Sequence, residues 1–344
     1  MKKYKMENVD MLVKELSELT HYHKNNCNLY SYYVSTFFKN LNSTEDLKQI
    51  PYLPVRAFKE FELKSIKNNE VFKIMTSSGT SGQFSKIFLD KSTAQLQSKT
   101  LVRIFADTFG NGRYPMLIID SEMTVRNRQT FSARTAAING FSMFSRKRCF
   151  ALNSEFKIDF DAIAKFLCEH KGQRIFVFGF TFLIWKNFIQ EIRTAKRNID
   201  LENAFILHGG GWKKLQEQSV SNDRFKDTIL ETTGCSNVRN YYGMVEQTGT
   251  IFMECEYGRL HACSASGALT RSRRDFSVLP DGHEGIIQIF STIQRSYPGH
   301  SLLTEDVGST TCNHDCPCGQ KGAVVSISGR LQKAEVRGCS DAYS

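Results

Sequence analysis

The stretch Thr76-Ser-Ser-Gly-Thr-Ser-Gly-Gln-Phe-Ser-Lys86 limits most narrowly what this chain can fold into. Apolar residues flank it at 71–75 and 87–89, so it reads as a tight strand–loop–strand and not as a linker. Its glycines tolerate positive φ and close approach, which lets the loop turn backbone N–H groups inward. The hydroxyls add donors and Lys86 adds a point charge. That combination suits a polyphosphate. A flexible polar turn would use the same residues. The G-x-x-x-x-G-K-[ST] spacing of a Walker loop is absent.

A chain of 344 residues allows one large domain or two medium ones, with ample core. The 26 phenylalanines fit either ordinary core packing or an apolar pocket. A net charge of +10 favours an anionic ligand such as a nucleotide. The basic residues are dispersed, and the densest run, Arg271-Ser-Arg-Arg274, is short, so no nucleic-acid partner is expected. No run reaches the ~18 apolar residues of a membrane span. The nearest, 175–185, is too short and contains Gly179. The start, Met1-Lys-Lys-Tyr-Lys, leads into a charged amphipathic stretch and not a signal-peptide core, so a cytoplasmic protein is expected. Ten cysteines in such a chain point to metal, catalysis or core thiols and not to disulfides.

Along the chain, Val9, Leu12, Val13, Leu16 and Leu19 recur at helical spacing, and a second helix carries Leu29, Tyr30, Tyr33 and Phe37. Pro51 and Pro54 then stop regular structure. Residues 94–109 and 160–168 read as helices, and 116–120, 174–180 and 204–208 as buried strands. The arginine-rich segment 126–134 reads as a surface loop or helix. The strand at 204–208 runs into Gly209-Gly-Gly-Trp212, with a helix expected over 213–218. Strand, glycine turn and helix in that order mark the carboxyl end of a parallel strand, where open α/β sheets bind ligands. The alternation of strands and helices predicts a mostly parallel sheet. A further strand at 238–242 ends in Gly243, with Glu246 just beyond, either a magnesium ligand or a surface residue after a turn. Strands follow at 285–290 and 302–307; Asp306 either accepts hydrogen bonds from a diol or caps a turn.

Taken together, these motifs resemble the adenylate-forming (acyl-CoA synthetase-like) superfamily. Ser77-Ser-Gly-Thr-Ser-Gly82 looks like its phosphate loop, and Gly209-Gly-Gly211 like its adenine-contacting turn. Tyr242-Gly-Met-Val-Glu246 looks like its Tyr-Gly-x-Thr-Glu motif, with Val245 in place of Thr. Asp306 sits where the ribose-binding Asp does, and Gly329-Arg330 resembles the Gly-Arg before the hinge. Leu53-Pro-Val-Arg-Ala-Phe-Lys59, Ile87-Phe-Leu-Asp90 and Arg337-Gly-Cys-Ser340 resemble the LuxE-type acyl-protein synthetases. Phe84 stands where that branch more often has Pro.

The resemblance implies an α/β fold: the large N-terminal domain of an adenylate-forming enzyme, with mixed, mostly parallel sheets flanked by helices and a small β-rich subdomain. It implies a large domain over 1–328, helical over 1–60 and β-rich over 250–325, then a hinge-like remnant and tail over 329–344. Fourteen residues follow Arg330, leaving no room for the usual small C-terminal domain with its catalytic lysine; Lys86, Lys333 or another subunit would replace it. The implied reaction activates a carboxylic acid, of fatty-acid type, with ATP and Mg²⁺ and transfers the acyl group to a thiol.

In that reaction Ser77, Ser78, Gly79, Thr80, Ser81, Gly82 and Lys86 hold the phosphates, with Thr80 and Lys86 also acting in catalysis. Gly209, Gly210 and Gly211 contact the adenine, Tyr242 and Gly243 also bind the nucleotide, Asp306 and Arg330 fix the ribose, and Glu246, a catalytic residue, holds the magnesium. The aromatic strand 176–180 walls the acyl pocket. Cys339 accepts the acyl group, its thiolate favoured by Arg337, for delivery to an acyl-reductase or acyl-carrier partner. One alternative is transfer to coenzyme A or an amine. Another is a non-catalytic nucleotide-binding subunit.

Cys316-x-Cys318, followed by Gly319, resembles half a zinc knuckle, and Cys255 with His261 offers the second half. Such a Cys₃His set makes a closed structural zinc site. Cys312, His314 and Cys263 are competing ligands. Reduced thiols in a loop are the plainer alternative.

Overall fold

The structure is a computed structural model, and it describes residues 2–38, 46–77, 84–126, 133–212, 219–312 and 315–331. In chain order the strands are β1 (Leu53–Pro54), β2 (Lys73–Thr76), β3 (Lys86–Leu89), β4 (Tyr114–Ser121), β5 (Ser145–Leu152), β6 (Ile175–Phe180) and β7 (Ala204–Gly209). They continue with β8 (Asn237–Tyr242), β9 (Phe252–Glu254), β10 (Leu260–His261), β11 (Ser266–Arg271), β12 (Gly285–Ser291), β13 (Ser301–Thr311) and β14 (Val324–Arg330). Two compact units divide the chain, one from 1–108 with 243–335, the other centred on 109–242.

In the second unit, β5, β4, β6, β7 and β8 lie side by side, every pair parallel. The sequence dictates this. Met116-Leu-Ile-Ile119 and Ile175-Phe-Val-Phe178 are continuous apolar runs, the pattern of strands covered on both faces. On one face Leu117, Ile119, Val177 and Ile206 pack on Ile163 and Phe166 of helix Phe160–Glu169 and on Phe225 and Ile229 of helix Asn222–Thr233. On the other, Phe205 stacks on Phe176 with ring centroids 5.0 Å apart and on Phe109 at 4.5 Å. Phe178 packs on Phe141 at 4.7 Å. The parallel arrangement expected from the alternation of strands and helices is found in this unit.

The first unit is built differently. Here β11, β12, β13, β14, β10 and β9 form an antiparallel series in that order, with β1 added parallel to β13. Helix Lys2–Asn26 buries Leu12, Val13, Leu16 and Leu19. Leu12 and Leu16 pack on Ile50, Leu269 and Phe290. Each such burial contributes about 1.5–3 kcal/mol, so Leu16→Ala costs about 2–5 kcal/mol.

A polar lock completes the join. His23 Nε2 donates to the Gln294 carbonyl at 2.9 Å, and its Nδ1 pairs with Ser65 Oγ at 2.7 Å. His300 stacks on His23 at 5.0 Å and meets Thr20 Oγ1 at 3.0 Å and the Tyr30 hydroxyl at 3.3 Å.

Helix Asn28–Phe37 buries Tyr30 and Val34, while Leu29 and Phe37 face solvent. The expected helix carrying Leu29, Tyr30, Tyr33 and Phe37 is found, and within it Tyr30 turns inward against His300. The helix expected over 213–218 lies outside the described residues.

Candidate active site and metal centre

Antiparallel β2 and β3 bracket the hydroxyl-rich loop, Met75 opposite Ile87 and Thr76 opposite Lys86. Ser77 N–H donates to the Ser85 carbonyl at 3.1 Å, and Ser85 N–H donates to Ser77 Oγ at 2.9 Å. These reciprocal bonds close the neck of the loop. Ser78, Gly79, Thr80, Ser81 and Gly82 lie outside the described residues.

Glu246 sits in a short 3₁₀ turn, Val245–Gln247, and is buried. The Ser85 hydroxyl donates to its Oε1 at 2.6 Å across 161 residues of sequence. Its carbonyl accepts from the Tyr297 hydroxyl at 2.9 Å, and Gln247 Nε2 donates to the Gly299 carbonyl at 2.8 Å. Burying a carboxylate is costly unless hydrogen bonds compensate. The turn is thus pinned by its backbone while the carboxylate is held against the neck of the loop.

Lys86 turns the other way. Its Nζ lies 3.4 Å from Glu62 Oε1, and both side chains are more than half exposed.

Asp306 and Arg330 stand opposite each other on β13 and β14, with Arg330 Nε 3.2 Å from Asp306 Oδ1. The adjacent carboxylate, Glu305 Oε2, lies 3.0 Å from Arg330 Nη2. The register shifts just beyond, at Val307 and Gly308. A Cβ at Gly308 would come within 1.9 Å of the Ser326 carbonyl oxygen, so only glycine fits this bulge.

In the second unit, Gly209, Gly210 and Gly211 follow the buried β7. A Cβ at Gly209 would collide with the Tyr241 ring at 2.4 Å, and Gly210 has φ +77°. Both positions therefore demand glycine. Thr181 Oγ1 donates to the Gly209 carbonyl at 3.2 Å and pairs with His208 Nδ1 at 2.9 Å. Burial holds the His208 pKa down at about 3. Tyr242 ends β8 half-buried. Gly243 belongs to the first unit, where a Cβ would lie 2.9 Å from Ile251 Cγ2. Phe176, Phe178 and Phe180 are all buried in β6.

Cys255, His261, Cys316 and Cys318 place one ligand atom each within 4.8 Å of all the others. The Cys255 and Cys316 sulfurs are 3.8 Å apart, those of Cys316 and Cys318 3.2 Å, and Cys318 Sγ is 3.5 Å from His261 Nε2. Tetrahedral zinc, with Zn–S near 2.3 Å and Zn–N near 2.0 Å, spaces sulfurs about 3.8 Å apart and S···N about 3.5 Å. The donor set therefore fits zinc. Two rivals are engaged elsewhere: Cys263 Sγ meets Ser266 Oγ at 3.3 Å, and Cys312 Sγ lies 3.6 Å from the Ala268 carbonyl. His314, Lys333, Arg337 and Cys339 lie outside the described residues.

Sequence reading missed Ser85, Thr181, His208 and Tyr297. Ser85 lay inside the quoted loop stretch, and its only signal was a hydroxyl where the strand resumes. The other three act through contacts 27–51 residues away, which no local pattern carries.

A parallel sheet covered on both faces, an antiparallel β-rich unit and a serine-rich hairpin loop beside a buried glutamate define an adenylate-forming ligase fold. Among solved structures, 2-hydroxyisobutyryl-CoA ligase in complex with its 2-HIB-AMP adenylate superposes with a TM-score of 0.73 at 15% identity, over 95% of this chain and 68% of that one. At that identity the likeness speaks for fold alone.

The sequence matches the acyl-protein synthetase (LuxE) family over residues 3–344, and the chain belongs to that family. It is 25% identical over 307 residues to the long-chain-fatty-acid–luciferin-component ligase of Vibrio harveyi, and 23% identical over 303 residues to the enzyme of that name from Aliivibrio fischeri. Each alignment covers 86% of this chain and 78% of the relative. Among the described residues, no helix is long and apolar enough to cross a membrane.

Proposed function

We propose that this chain activates a fatty acid with ATP as an acyl-adenylate and passes the acyl group to a thiol, that of Cys339 or of a partner protein. The observation that carries the reading is the buried Glu246 carboxylate, 2.6 Å from the neck of a hydroxyl-rich loop in a member of the acyl-protein synthetase family.

In the first step the acid's carboxylate attacks the α-phosphorus and pyrophosphate leaves. Backbone amides and hydroxyls of Ser77, Ser78, Thr80 and Ser81 donate to the β- and γ-phosphates, with the glycines giving clearance. A bound magnesium ion would supply charge compensation as pyrophosphate departs. Glu246 is the carboxylate that would hold it. Asp306 accepts from the ribose hydroxyls, and Arg330 holds Asp306 in place. The Gly209–Gly211 turn lets the base lie against the backbone. Lys86 reaches a phosphate only by leaving Glu62. An exposed ion pair is worth about 0–1 kcal/mol, so that exchange costs little. In the second step a thiolate attacks the acyl carbon and AMP leaves.

Zinc on Cys255, His261, Cys316 and Cys318 pins the segment between β13 and β14 and takes no part in the chemistry. None of the nine described cysteines is in a disulfide, which accords with a cytoplasmic setting. The names of the Vibrio and Aliivibrio relatives support a long-chain acid and a protein partner. The test is incubation with ATP and labelled long-chain fatty acid. The expected result is a hydroxylamine-sensitive label on the protein, absent from Cys339→Ala, while pyrophosphate exchange persists. Label on a small acceptor would favour transfer to coenzyme A or an amine.

A further inference from the structure

We infer that Ser85 is a positioning residue that sets the orientation of the Glu246 carboxylate toward the nucleotide's divalent cation and leaves its negative charge undiminished. The inference rests on the nucleotide-binding reading above and adds to it a residue with a distinct task.

Ser85 and Glu246 are both buried, and the hydroxyl donates to Oε1 at 2.6 Å, at the short end for O–H···O⁻ bonds. Ser85 is itself immobilised, because its N–H donates to Ser77 Oγ and its carbonyl accepts from Ser77 N–H. Glu246 is immobilised at its backbone, where the Tyr297 hydroxyl holds its carbonyl at 2.9 Å. The Ser85 hydroxyl ties the Glu246 carboxylate to that fixed neck. The loop neck and the carboxylate thereby move as one piece.

The choice of a hydroxyl matters. An ammonium at this position would orient the carboxylate equally well, but would cancel the charge that a cation needs. The chain carries a lysine at the very next residue. Lys86, the first residue of β3, lies against Glu62, while the neutral donor just before it faces Glu246.

The experiment compares wild type with Ser85→Ala, Ser85→Thr and Ser85→Lys. Two quantities are read: ATP binding by calorimetry with and without Mg²⁺, and the Mg²⁺ concentration giving half-maximal pyrophosphate exchange. Groups that orient a ligand from behind typically change metal affinity by about 10–100-fold. Ser85→Ala should raise the Mg²⁺ requirement about tenfold and weaken ATP binding in Mg²⁺, with binding in EDTA unchanged. Ser85→Thr, which keeps the hydroxyl, should restore both values, and Ser85→Lys should be the most impaired.

Equal loss of ATP binding with and without Mg²⁺ in Ser85→Ala would make Ser85 a structural member of the loop and overturn the inference. So would a wild-type Mg²⁺ requirement. If wild type itself binds no ATP, the nucleotide reading fails first and this inference with it.

Discussion

At the scale of single residues, the electrostatic arrangement rests on two adjacent positions with opposite neighbours. Ser85 faces a buried carboxylate and Lys86 faces an exposed one. The surface pair contributes at most about 1 kcal/mol, so Lys86→Ala should leave the melting temperature within about 2–4 °C of wild type. If Lys86 leaves Glu62 for a phosphate during turnover, the same variant should lose about tenfold or more in pyrophosphate exchange, since a charged hydrogen bond is worth about 1.5–3 kcal/mol. Thermal melting and exchange assays on one preparation separate the two roles. The sequence exposed Glu246, because its motif is local. It gave Ser85 no distinct role, because that role depends on a partner 161 residues away.

At the scale of elements, the glycine turn after β7 owes its shape to more than glycine. Thr181 bridges the Gly209 carbonyl and His208, so a side chain from the end of β6 steadies the end of β7. Thr181→Val removes that bridge with little change in volume. A single hydrogen bond is worth about 0.5–1.5 kcal/mol, so KM for ATP should rise about threefold to tenfold with kcat nearly unchanged. Thr181→Ser should recover the wild-type KM.

The cysteine cluster joins Cys255 and His261, at the short strands β9 and β10, to Cys316 and Cys318 between β13 and β14. Elemental analysis should find about one zinc per chain. Cys316→Ser should lose the metal and lower the melting temperature by about 5 °C or more, as expected when binding energy contributes directly to folding. Full retention of melting temperature after complete chelation would contradict a structural role.

The cluster was legible because Cys-x-Cys and Cys-x₅-His place their ligands close together in sequence. The buried face of helix Asn28–Phe37, through Tyr30 and Val34, was not, because Tyr30 meets His300 far along the chain.

At the scale of the whole molecule, three buried histidines with lowered pKa values, His23, His208 and His300, contribute to the response to acid. Burial holds His23 at about 3, with the Gln294 hydrogen bond opposing, and holds His208 at about 3. Burial also drives the His300 pKa well below its ordinary value, with His23 adding to the effect. In the unfolded chain each titrates near 6.5. Between those values the unfolded state binds protons that the folded state refuses, so stability is complete above about pH 6.5 and falls as pH drops toward about 3. For a single such histidine the loss is at most about 1.4 kcal/mol per pH unit. Denaturation midpoints measured from pH 7.5 to 5 should fall steadily below about 6.5. A flat profile would place the histidines in contact with solvent.

The alternation of strands and helices made the parallel unit readable in advance. The antiparallel unit was visible only as isolated strands, since pairing between β10 and β14 or β9 and β10 depends on contacts that no single segment announces.

The account's central claim is that Glu246 and the hydroxyl-rich loop serve one magnesium-bound triphosphate during acid activation. Fatty-acid-dependent ATP–pyrophosphate exchange, compared between wild type and Glu246→Gln, tests it most directly. The account predicts acid-dependent exchange in wild type and a loss of at least about 100-fold in the variant, with its fold retained. Exchange at the wild-type rate in Glu246→Gln, or no exchange in wild type with any acid, would contradict it.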